Sequence, residues 1–329
     1  MTMKNGTTKS FESWAQGIYI YQLASRYAAH LQLCSSNIHS PAASSLVRTI
    51  HANMITSGFK PRAHILNRLI DIYYKSSNLP YARHLFDEIP QPDIVARTTM
   101  VAAYLTSGDP KLAAEIFDRT PLSMRDTVFY NARITGHSHH NDGHAAKQVF
   151  NDMKRNNFQP DQYTYTSVLA ALALIADLYV RCASSPFVSS LHLMESARKL
   201  FDEMSKRDEL TWTTIIVGYI RNDNVVAARQ VFDGMDEKLV VAWNAMISGC
   251  SQNGLGEEGL RLFNRMKLNG VEPSDYAFAG AIASCSVLAA LETGRQLHAQ
   301  IIRCGFDSSL SAGNALITFY GRCGDIDAA

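Results

Sequence analysis

Hydrophobic and polar positions along the chain follow one pattern that recurs about every 31 to 35 residues. Five segments align without a gap and share a small residue followed, four residues later, by a phenylalanine. The segments begin at Leu66, Arg97, Tyr130, Trp212 and Trp243; the small residues are Ala82, Ala113, Ala146, Ala228 and Gly259, and the phenylalanines are Phe86, Phe117, Phe150, Phe232 and Phe263. Two packed antiparallel helices need such a pair, because the small residue permits close approach and the ring fills the next layer of the groove.

Each segment also carries a residue suited to a turn, eleven positions after its first residue, and a tyrosine often precedes that turn. The turn residues are Ser77, Gly108, Asn141, Asp223, Gly254 and, in a truncated last copy, Gly324; the tyrosines are Tyr73, Tyr104, Tyr219 and Tyr320. The pattern therefore predicts helix, turn, helix in each unit. Because a lone helical hairpin cannot cover its apolar faces, stacked copies must share a core. The predicted fold class is all-α, a right-handed α-solenoid of stacked helix-turn-helix repeats.

The predicted solenoid covers residues 46–329. Its units begin near Ala63, Ile94, Thr127, Gln162, Leu169, Glu209, Val240, Asp275 and Leu310, the Gln162 unit being partial and the Leu310 unit truncated. Residues 1–45 are predicted to be an irregular segment. They are rich in Ser and Thr and carry more basic than acidic residues, which is compatible with an organellar transit segment and also with a disordered start.

One interval breaks the regular spacing, since 47 residues separate Gln162 from Glu209. A second small–aromatic pair, Ala197 and Phe201, and the match of "ADLYVRCASS" to "TFYGRCGD" place a new unit start at Leu169. We therefore expect residues 162–182 to form one merged first helix. The extra residues around Pro186 are expected to loop out, because proline and the neighbouring serines interrupt a helix.

Composition and charge exclude several classes of protein. The chain is 47% apolar and 19% charged, so it can bury a core, and its net charge of +1 excludes binding to nucleic acid by charge alone. Its six cysteines contain no Cys-x-x-Cys pair, which argues against a zinc ribbon. The longest apolar run, from Ser167, is about fourteen residues, too short to cross a bilayer.

The unit lengths admit two families of helical repeat. A tetratricopeptide repeat has similar spacing, but its characteristic glycine is replaced here by Ile70, Val101, Ile134, Ile216 and Ile247. The phrases "VAWNAMISGCSQNG", "ARKLFDEM" and "LETGRQLHAQIIRCGF", with unit endings "FQPD" and "VEPS", resemble the plant pentatricopeptide repeat family, in the subclass that mixes 35-residue and shorter motifs (PLS). That resemblance implies an imported organellar protein that binds single-stranded RNA, one base per repeat.

The resemblance also implies which residues contact the bases. In the family, the fifth residue of a repeat bonds a base edge, the last residue tunes that contact, and the second packs against the base plane. The implied base-reading residues are Asn67, Asp93, Thr98, Asp126, Asn131, Asp161, Thr213, Asn244, Ser274 and Asn314, and the packing residues are Val95, Val128, Leu210 and Val241. Asn67 with Asp93 and Asn131 with Asp161 resemble uridine pairs, Thr98 with Asp126 a guanosine pair, and Asn244 with Ser274 a cytidine pair. Thr213 with Leu239, and Ala173 with Asp208, depart from the family pattern.

The same fifth-position residues have a simpler interpretation. Small amides and hydroxyls suit base edges because they carry both donors and acceptors. Asn and Thr also cap or start helices, which is the alternative explanation for this row.

The sequence predicts no catalysis and no cofactor. Related chains often end in a zinc-dependent cytidine-deaminase-like domain, but neither its His-x-Glu nor its Cys-x-x-Cys occurs here. The histidine-rich "HSHHNDGH", with His137, His139, His140 and His144, spans a predicted turn, where His137 takes the place of the column tyrosine and the others are expected to face solvent.

The resemblance therefore implies sequence-specific binding of single-stranded RNA in organellar RNA processing or modification, as a specificity factor for C-to-U RNA editing. The implied partners are single-stranded RNA and a deaminase-domain protein or other editing factors, and no membrane is expected. The expected location is the mitochondrion, with the chloroplast as the alternative. Two other interpretations remain. The chain is a tetratricopeptide-like scaffold that binds proteins, or it is a non-functional fragment of a truncated gene model.

Overall fold

The computed structural model describes residues 23–36, 41–181 and 187–325, and in these ranges the regular elements are helices. A 3-10 helix, Leu122–Met124, follows α6. The helices are α1 (23–36), α2 (Pro41–Thr56), α3 (Ala63–Lys75), α4 (Leu79–Asp87), α5 (Ile94–Thr106), α6 (Pro110–Arg119), α7 (Thr127–His139), α8 (Gly143–Arg155), α9 (Gln162–Arg181), α10 (Phe187–Glu203), α11 (Glu209–Arg221), α12 (Val225–Asp233), α13 (Val240–Gln252), α14 (Gly256–Leu268), α15 (Asp275–Leu288), α16 (Leu291–Arg303) and α17 (Leu310–Cys323).

Two compact units divide the chain, residues 1–136 and 137–329. In the first unit, α3 packs on α4 and α5 on α6, and the first helices α3 and α5 also pack on each other. In the second unit, the pairs are α9 with α10, α11 with α12, α13 with α14 and α15 with α16, and each first helix packs on the next, through to α17. This is the predicted all-α solenoid of helix-turn-helix repeats.

First helices begin at eight residues, all of them aligned unit starts: Ala63, Ile94, Thr127, Gln162, Glu209, Val240, Asp275 and Leu310. The small residue and the phenylalanine of each unit are buried as the spacing predicts; for example, Ala228 and Phe232 are both 0% exposed. Three of the phenylalanines, Phe117, Phe201 and Phe232, pack edge-on against the aromatic residue that opens the next aligned segment. The ring centroids of Phe232 and Trp243 are 4.7 Å apart, and those of Phe201 and Trp212 are 4.8 Å apart. Successive hairpins of the second unit therefore share a core.

The predicted turn residues all adopt the left-handed backbone conformation, in which φ is positive. The φ angles are 59° at Ser77, 83° at Gly108, 57° at Asn141, 55° at Asp223, and 75° at both Gly254 and Gly324. Glycine and asparagine tolerate this region, which explains the composition of the column. In the Asp275 unit the same place is taken by Ala289, with φ of 51°.

The difference between the 31-residue and the 35-residue units comes from the second helix of each hairpin. Short units have second helices of 9 residues, α4 and α12, whereas α8, α14 and α16 have 13 residues. One added helical turn accounts for the four-residue difference, because a turn contains 3.6 residues.

The irregular interval forms one lengthened hairpin. Helix α9 runs unbroken from Gln162 to Arg181, as predicted, while Cys182 and Pro186 lie outside the described residues. The predicted loop is wrong from Phe187 onward, because Phe187–Glu203 is a single helix of 17 residues. The inserted residues therefore lengthen both helices of one unit. No helix in the described part of the chain is both long and apolar enough to cross a membrane.

The prediction of an irregular segment over residues 1–45 is wrong for 23–36 and 41–45, which are helical. Two contacts of this region recur in the last hairpin. The ring centroids of Tyr27 and Phe59 are 5.2 Å apart. The equivalent rings of Phe278 and Phe306 have centroids 5.9 Å apart. His51 Nδ1 is 2.9 Å from the hydroxyl oxygen of Tyr73, and the same distance separates His298 Nδ1 from that of Tyr320. Repeat-like structure therefore begins before residue 46.

Candidate nucleic-acid interface

The fifth-position residues lie within the second turn of their helices, four residues after each helix begins. Asn67, Thr98, Thr213 and Asn244 are partly exposed, Asn314 is exposed and Asn131 is buried. Helix capping, the alternative explanation for this row, is therefore wrong for these residues, since a cap precedes the first turn.

Capping is instead the role of the last residue of most units, which precedes the next first helix. Asp93 Oδ1 accepts a hydrogen bond of 2.9 Å from the backbone N–H of Ala96, and Asp126 Oδ1 accepts one of 2.8 Å from that of Phe129. The side chains of Asp161, Asp208 and Ser274 accept equivalent hydrogen bonds from the backbone N–H three residues later. The distances are 2.7, 2.8 and 3.3 Å, respectively. Leu239 makes no side-chain cap. The caps hold the last-position side chains in place beside the helix starts.

Two of the implied pairs are joined directly. Asn67 Nδ2 donates to both carboxylate oxygens of Asp93, at 3.0 and 2.8 Å. Ser274 Oγ donates to Asn244 Oδ1 at 3.2 Å. The two pairs use opposite ends of the asparagine amide. A carboxylate can only accept, so Asp93 binds the amide nitrogen of Asn67, whereas the Ser274 hydroxyl donates to the amide oxygen of Asn244.

The other implied residues have different contacts. The Thr98 hydroxyl donates to the carbonyl oxygen of Ile94 at 2.7 Å. Asp161 Oδ1 also accepts from the hydroxyl of Thr164 at 2.7 Å. The hydroxyl oxygen of Thr213 is buried and has no hydrogen-bond partner.

Second-position residues form an exposed apolar row. The exposed fractions of Val95, Val128, Leu210 and Val241 are 54%, 64%, 61% and 47%. Sequence reasoning missed two members of this row, Tyr163 and Tyr276, which are 57% and 62% exposed. Their position one residue after the helix start was the signal that would have identified them.

An open cleft of about 690 Å³ brings the three kinds of position together in the first unit. It lies between α3 and α5 and is lined by Asn67, Asp93 and Val95, with Arg62, His64 and Arg68 nearby. Hydrogen-bonding side chains thus lie beside an apolar side chain and two guanidinium groups in this cleft.

The register of the lengthened unit differs from the sequence alignment. Thr166, the fifth residue of α9, lies beside the start of α11: its Oγ1 is 3.2 Å from Thr211 Oγ1, and Thr211 Oγ1 donates to Asp208. Ala173 lies farther along, where a Cβ on Gly218 would come within 2.9 Å of the Ala173 Cβ. The pairing of Ala173 with Asp208 is therefore wrong, and Thr166 takes that place.

Asp208 is held as a carboxylate by this arrangement. Its burial by itself raises its pKa, but the hydrogen bonds from the hydroxyl and backbone N–H of Thr211 outweigh that effect, so the pKa lies below its ordinary value.

The histidine-rich turn shows no metal-binding geometry. His137 is buried, while His139, His140 and His144 are exposed, as predicted. Across the described ranges, no group of three or more His, Cys, Asp or Glu side chains could hold a metal ion.

Comparison with known proteins identifies the repeats. The model of the PPR repeat family matches residues 125–173 and 238–286, and that of the PPR repeat matches 210–238. Among Arabidopsis thaliana proteins, a pentatricopeptide repeat-containing protein is 43% identical over 93% of this chain. A mitochondrial and a chloroplastic one are 26% and 28% identical, each over 86% of it. The chain spans 42%, 30% and 29% of the lengths of these three relatives.

A solved structure shares the fold. The pentatricopeptide repeat protein PPR10, in complex with an 18-nt psaJ RNA element, superposes with a TM-score of 0.63 at 14% identity. The match covers 99% of this chain and 47% of that protein. With the helical hairpins, their buried columns and the family models all in agreement, the tetratricopeptide alternative is excluded, and the chain belongs to the pentatricopeptide repeat family.

Proposed function

We propose that this chain binds single-stranded RNA sequence-specifically, one base per repeat, through the fifth-position and last-position side chains. The observation that carries the proposal is the opposite orientation of the Asn67 and Asn244 amides. PPR10, which shares the fold, was crystallised with RNA, and this supports the choice of ligand.

The Asn67 amide favours uridine. Because its Nδ2 is held by Asp93, its oxygen, an acceptor, lies at the other end of the amide. Uracil presents a donor at N3 on its Watson–Crick edge, whereas cytosine presents an acceptor there. An acceptor facing the RNA therefore matches uracil.

The Asn244 amide favours cytidine for the reverse reason. Its oxygen accepts from Ser274, so its Nδ2, a donor, lies at the other end. A donor facing the RNA matches the N3 acceptor of cytosine. Physical chemistry thus agrees with the preferences that the family resemblance implies for these two pairs.

The remaining implied residues complete the proposed interface. Thr98 with Asp126 is proposed to recognise guanosine, and Asn131 with Asp161 to recognise uridine. Thr166 with Asp208 repeats the Thr–Asp combination and is therefore also proposed to recognise guanosine. Asn314 and Thr213 are proposed to contact bases, and Val95, Val128, Leu210 and Val241 to pack against base planes.

The finer assignment is C-to-U editing specificity in an organelle. The mixture of shorter second helices, of 9 and 10 residues, with second helices of 13 residues supports the PLS subclass. We infer that the chain itself catalyses no reaction and that a deaminase-domain protein or another editing factor supplies the chemistry. The names of the relatives support an organelle, with the mitochondrion proposed and the chloroplast as the alternative.

Reciprocal substitutions test the amide argument. Ser274→Asp should turn the Asn244 amide round and change the preference of that repeat from cytidine to uridine, and Asp93→Ser should make the opposite change at Asn67. Each change should shift discrimination by about 1–3 kcal/mol. Serine and aspartate cap helices equally well, so the fold is kept.

Binding of RNAs that differ at one base, measured by fluorescence anisotropy, checks the result. Unaltered base preference in both variants would remove these two pairs from the interface.

A further inference from the structure

Charge is distributed unevenly along the chain. Residues 13–70 contain no Asp or Glu, and their Lys and Arg residues are Arg26, Arg48, Lys60, Arg62 and Arg68. Residues 71–329 carry 24 Lys and Arg against 29 Asp and Glu. The near-neutral total therefore combines a basic N-terminal part with an acidic remainder, an asymmetry that is typical of proteins with a polyanion-binding end.

The change of sign occurs within the row of last-position residues. In the first compact unit, Asp93 precedes α5 and Asp126 precedes α7, and each carboxylate caps the helix that follows it. Arg62 occupies the same place before α3, is exposed and makes no side-chain cap. The row thus presents a guanidinium before α3, where it presents a carboxylate before α5 and α7.

Two further cations accompany Arg62, and we call Lys60, Arg62 and Arg68 the basic end. Lys60 is exposed and lies two residues before Arg62, in the segment that leads into α3. Arg68 lines the first-unit cleft together with Arg62. Its Nη1 donates to the carbonyl oxygen of Ala28 at 3.3 Å, which leaves other N–H donors of the guanidinium for a ligand.

The carboxylates of the same cleft are engaged by other residues. Asp71 Oδ2 accepts from Lys75 Nζ at 2.8 Å, and Asp93 accepts from the amide of Asn67 and from the backbone of α5. The basic end therefore keeps its positive charge for an external anion.

We propose that the basic end holds the phosphodiester backbone of the bound RNA beyond the base at Asn67, whatever the sequence there. The inference rests on the proposed function. A guanidinium matches the geometry of phosphate oxygens, and the ammonium group of a lysine binds phosphate as a point charge. Phosphate contacts position a strand but carry no sequence information.

The basic end predicts a particular kind of RNA target. The RNA should continue past the base at Asn67 by nucleotides of any sequence. Because each phosphate contact with a single strand contributes about −0.7 to the log–log salt slope, three contacts give a slope of about −2, all of it from one end of the RNA.

Extension of a core RNA tests the proposal. The core is the shortest RNA, selected from a randomised pool, that ends at the base facing Asn67, and Asp93→Ser identifies that end by changing the base preferred there. Three abasic nucleotides added at that end should strengthen binding at least about tenfold at about 50 mM KCl and steepen the salt slope by about 2. The same extension at the opposite end should change affinity less than about twofold.

The source of the phosphate is tested separately. A single terminal phosphate at the Asn67 end should give less than the abasic extension, because one group replaces several contacts. Each of the four bases in place of the abasic residues should change affinity less than about twofold, well under the discrimination of a base-edge contact.

Arg62→Asp separates binding from folding. Aspartate at this place should cap α3 as Asp93 caps α5, so the midpoint of thermal unfolding should rise. The advantage of the extended RNA should nevertheless fall at least about fivefold, because a phosphate contact is replaced by repulsion. Arg155→Asp is the matched control, since it makes the same change of charge at an exposed residue in the last turn of α8, and it should leave that advantage unchanged.

The outcomes are separable. An advantage that is equal at both ends, that depends on the added bases, or that persists in Arg62→Asp would overturn the proposal while leaving RNA binding intact. Binding to vesicles of anionic lipid, without any advantage of the extended RNA, would assign these cations to a membrane surface instead. A chain that binds no single-stranded RNA overturns the proposed function and this inference with it.

Discussion

Ala289 is the one alanine among the residues that the structure shows in the left-handed conformation, with φ of 51°. A Cβ is disfavoured there, and the equivalent turns use glycine at residues 254 and 324. Ala289→Gly should therefore stabilise the chain by about 0.5–1 kcal/mol, seen as a higher midpoint of urea unfolding.

Ala299→Gly provides the control for that substitution. Ala299 is exposed in the interior of α16, where glycine should instead cost about 1 kcal/mol. Equal loss of stability in the two variants would show that the strain at residue 289 is not relieved by glycine.

Sequence and structure agree most closely at this scale. The turn residues were predicted from their types alone, because the left-handed conformation selects glycine, asparagine and aspartate by local sterics. The orientation of the Asn67 and Asn244 amides was not predictable, because their hydrogen-bond partners lie 26 and 30 residues away. Thr166 was missed because residues 176–185 resemble the end of another first helix, whereas the Asp161 cap places the start of α9 at Gln162.

At the scale of helices, the contact between α16 and α17 requires a residue without a side chain. A Cβ built on Gly294 would overlap the ring of Phe319, which is fully buried. Gly294→Ala should therefore destabilise the chain by about 1–3 kcal/mol, since the ring must move within a packed core.

Gly313, in α17, is the matched control because a Cβ there meets nothing within 4 Å. Gly313→Ala should stabilise its helix by up to about 1 kcal/mol, the usual gain from replacing a helical glycine. Thermal unfolding followed by circular dichroism measures both changes, and a stabilised Gly294→Ala would contradict the close contact.

At the scale of the whole molecule, charge is nearly balanced, with 31 Lys and Arg against 30 Asp and Glu. Many arginines are engaged by acids within second helices: Arg83 with Asp87, Arg198 with Asp202, Arg229 with Asp233 and Arg261 with Glu257. RNA affinity should therefore depend weakly on salt. A log–log slope of roughly −1 to −3 is expected, since each phosphate contact with a single strand contributes about −0.7.

Titration of RNA binding over a range of potassium chloride concentrations measures this slope. A slope steeper than about −5 would mean that phosphate contacts dominate, and base-edge recognition would then contribute little to affinity.

The sequence by itself determined the repeat, the helical hairpins, the turn residues and the buried small–aromatic columns. These depend on local periodicity and backbone sterics, and both act over a few residues. Tertiary structure alone decided which end of each asparagine amide faces away from its partner, and that Thr166 rather than Ala173 neighbours Asp208. Those features depend on where two helices start and how they pack, so they join residues tens of positions apart that no local pattern relates.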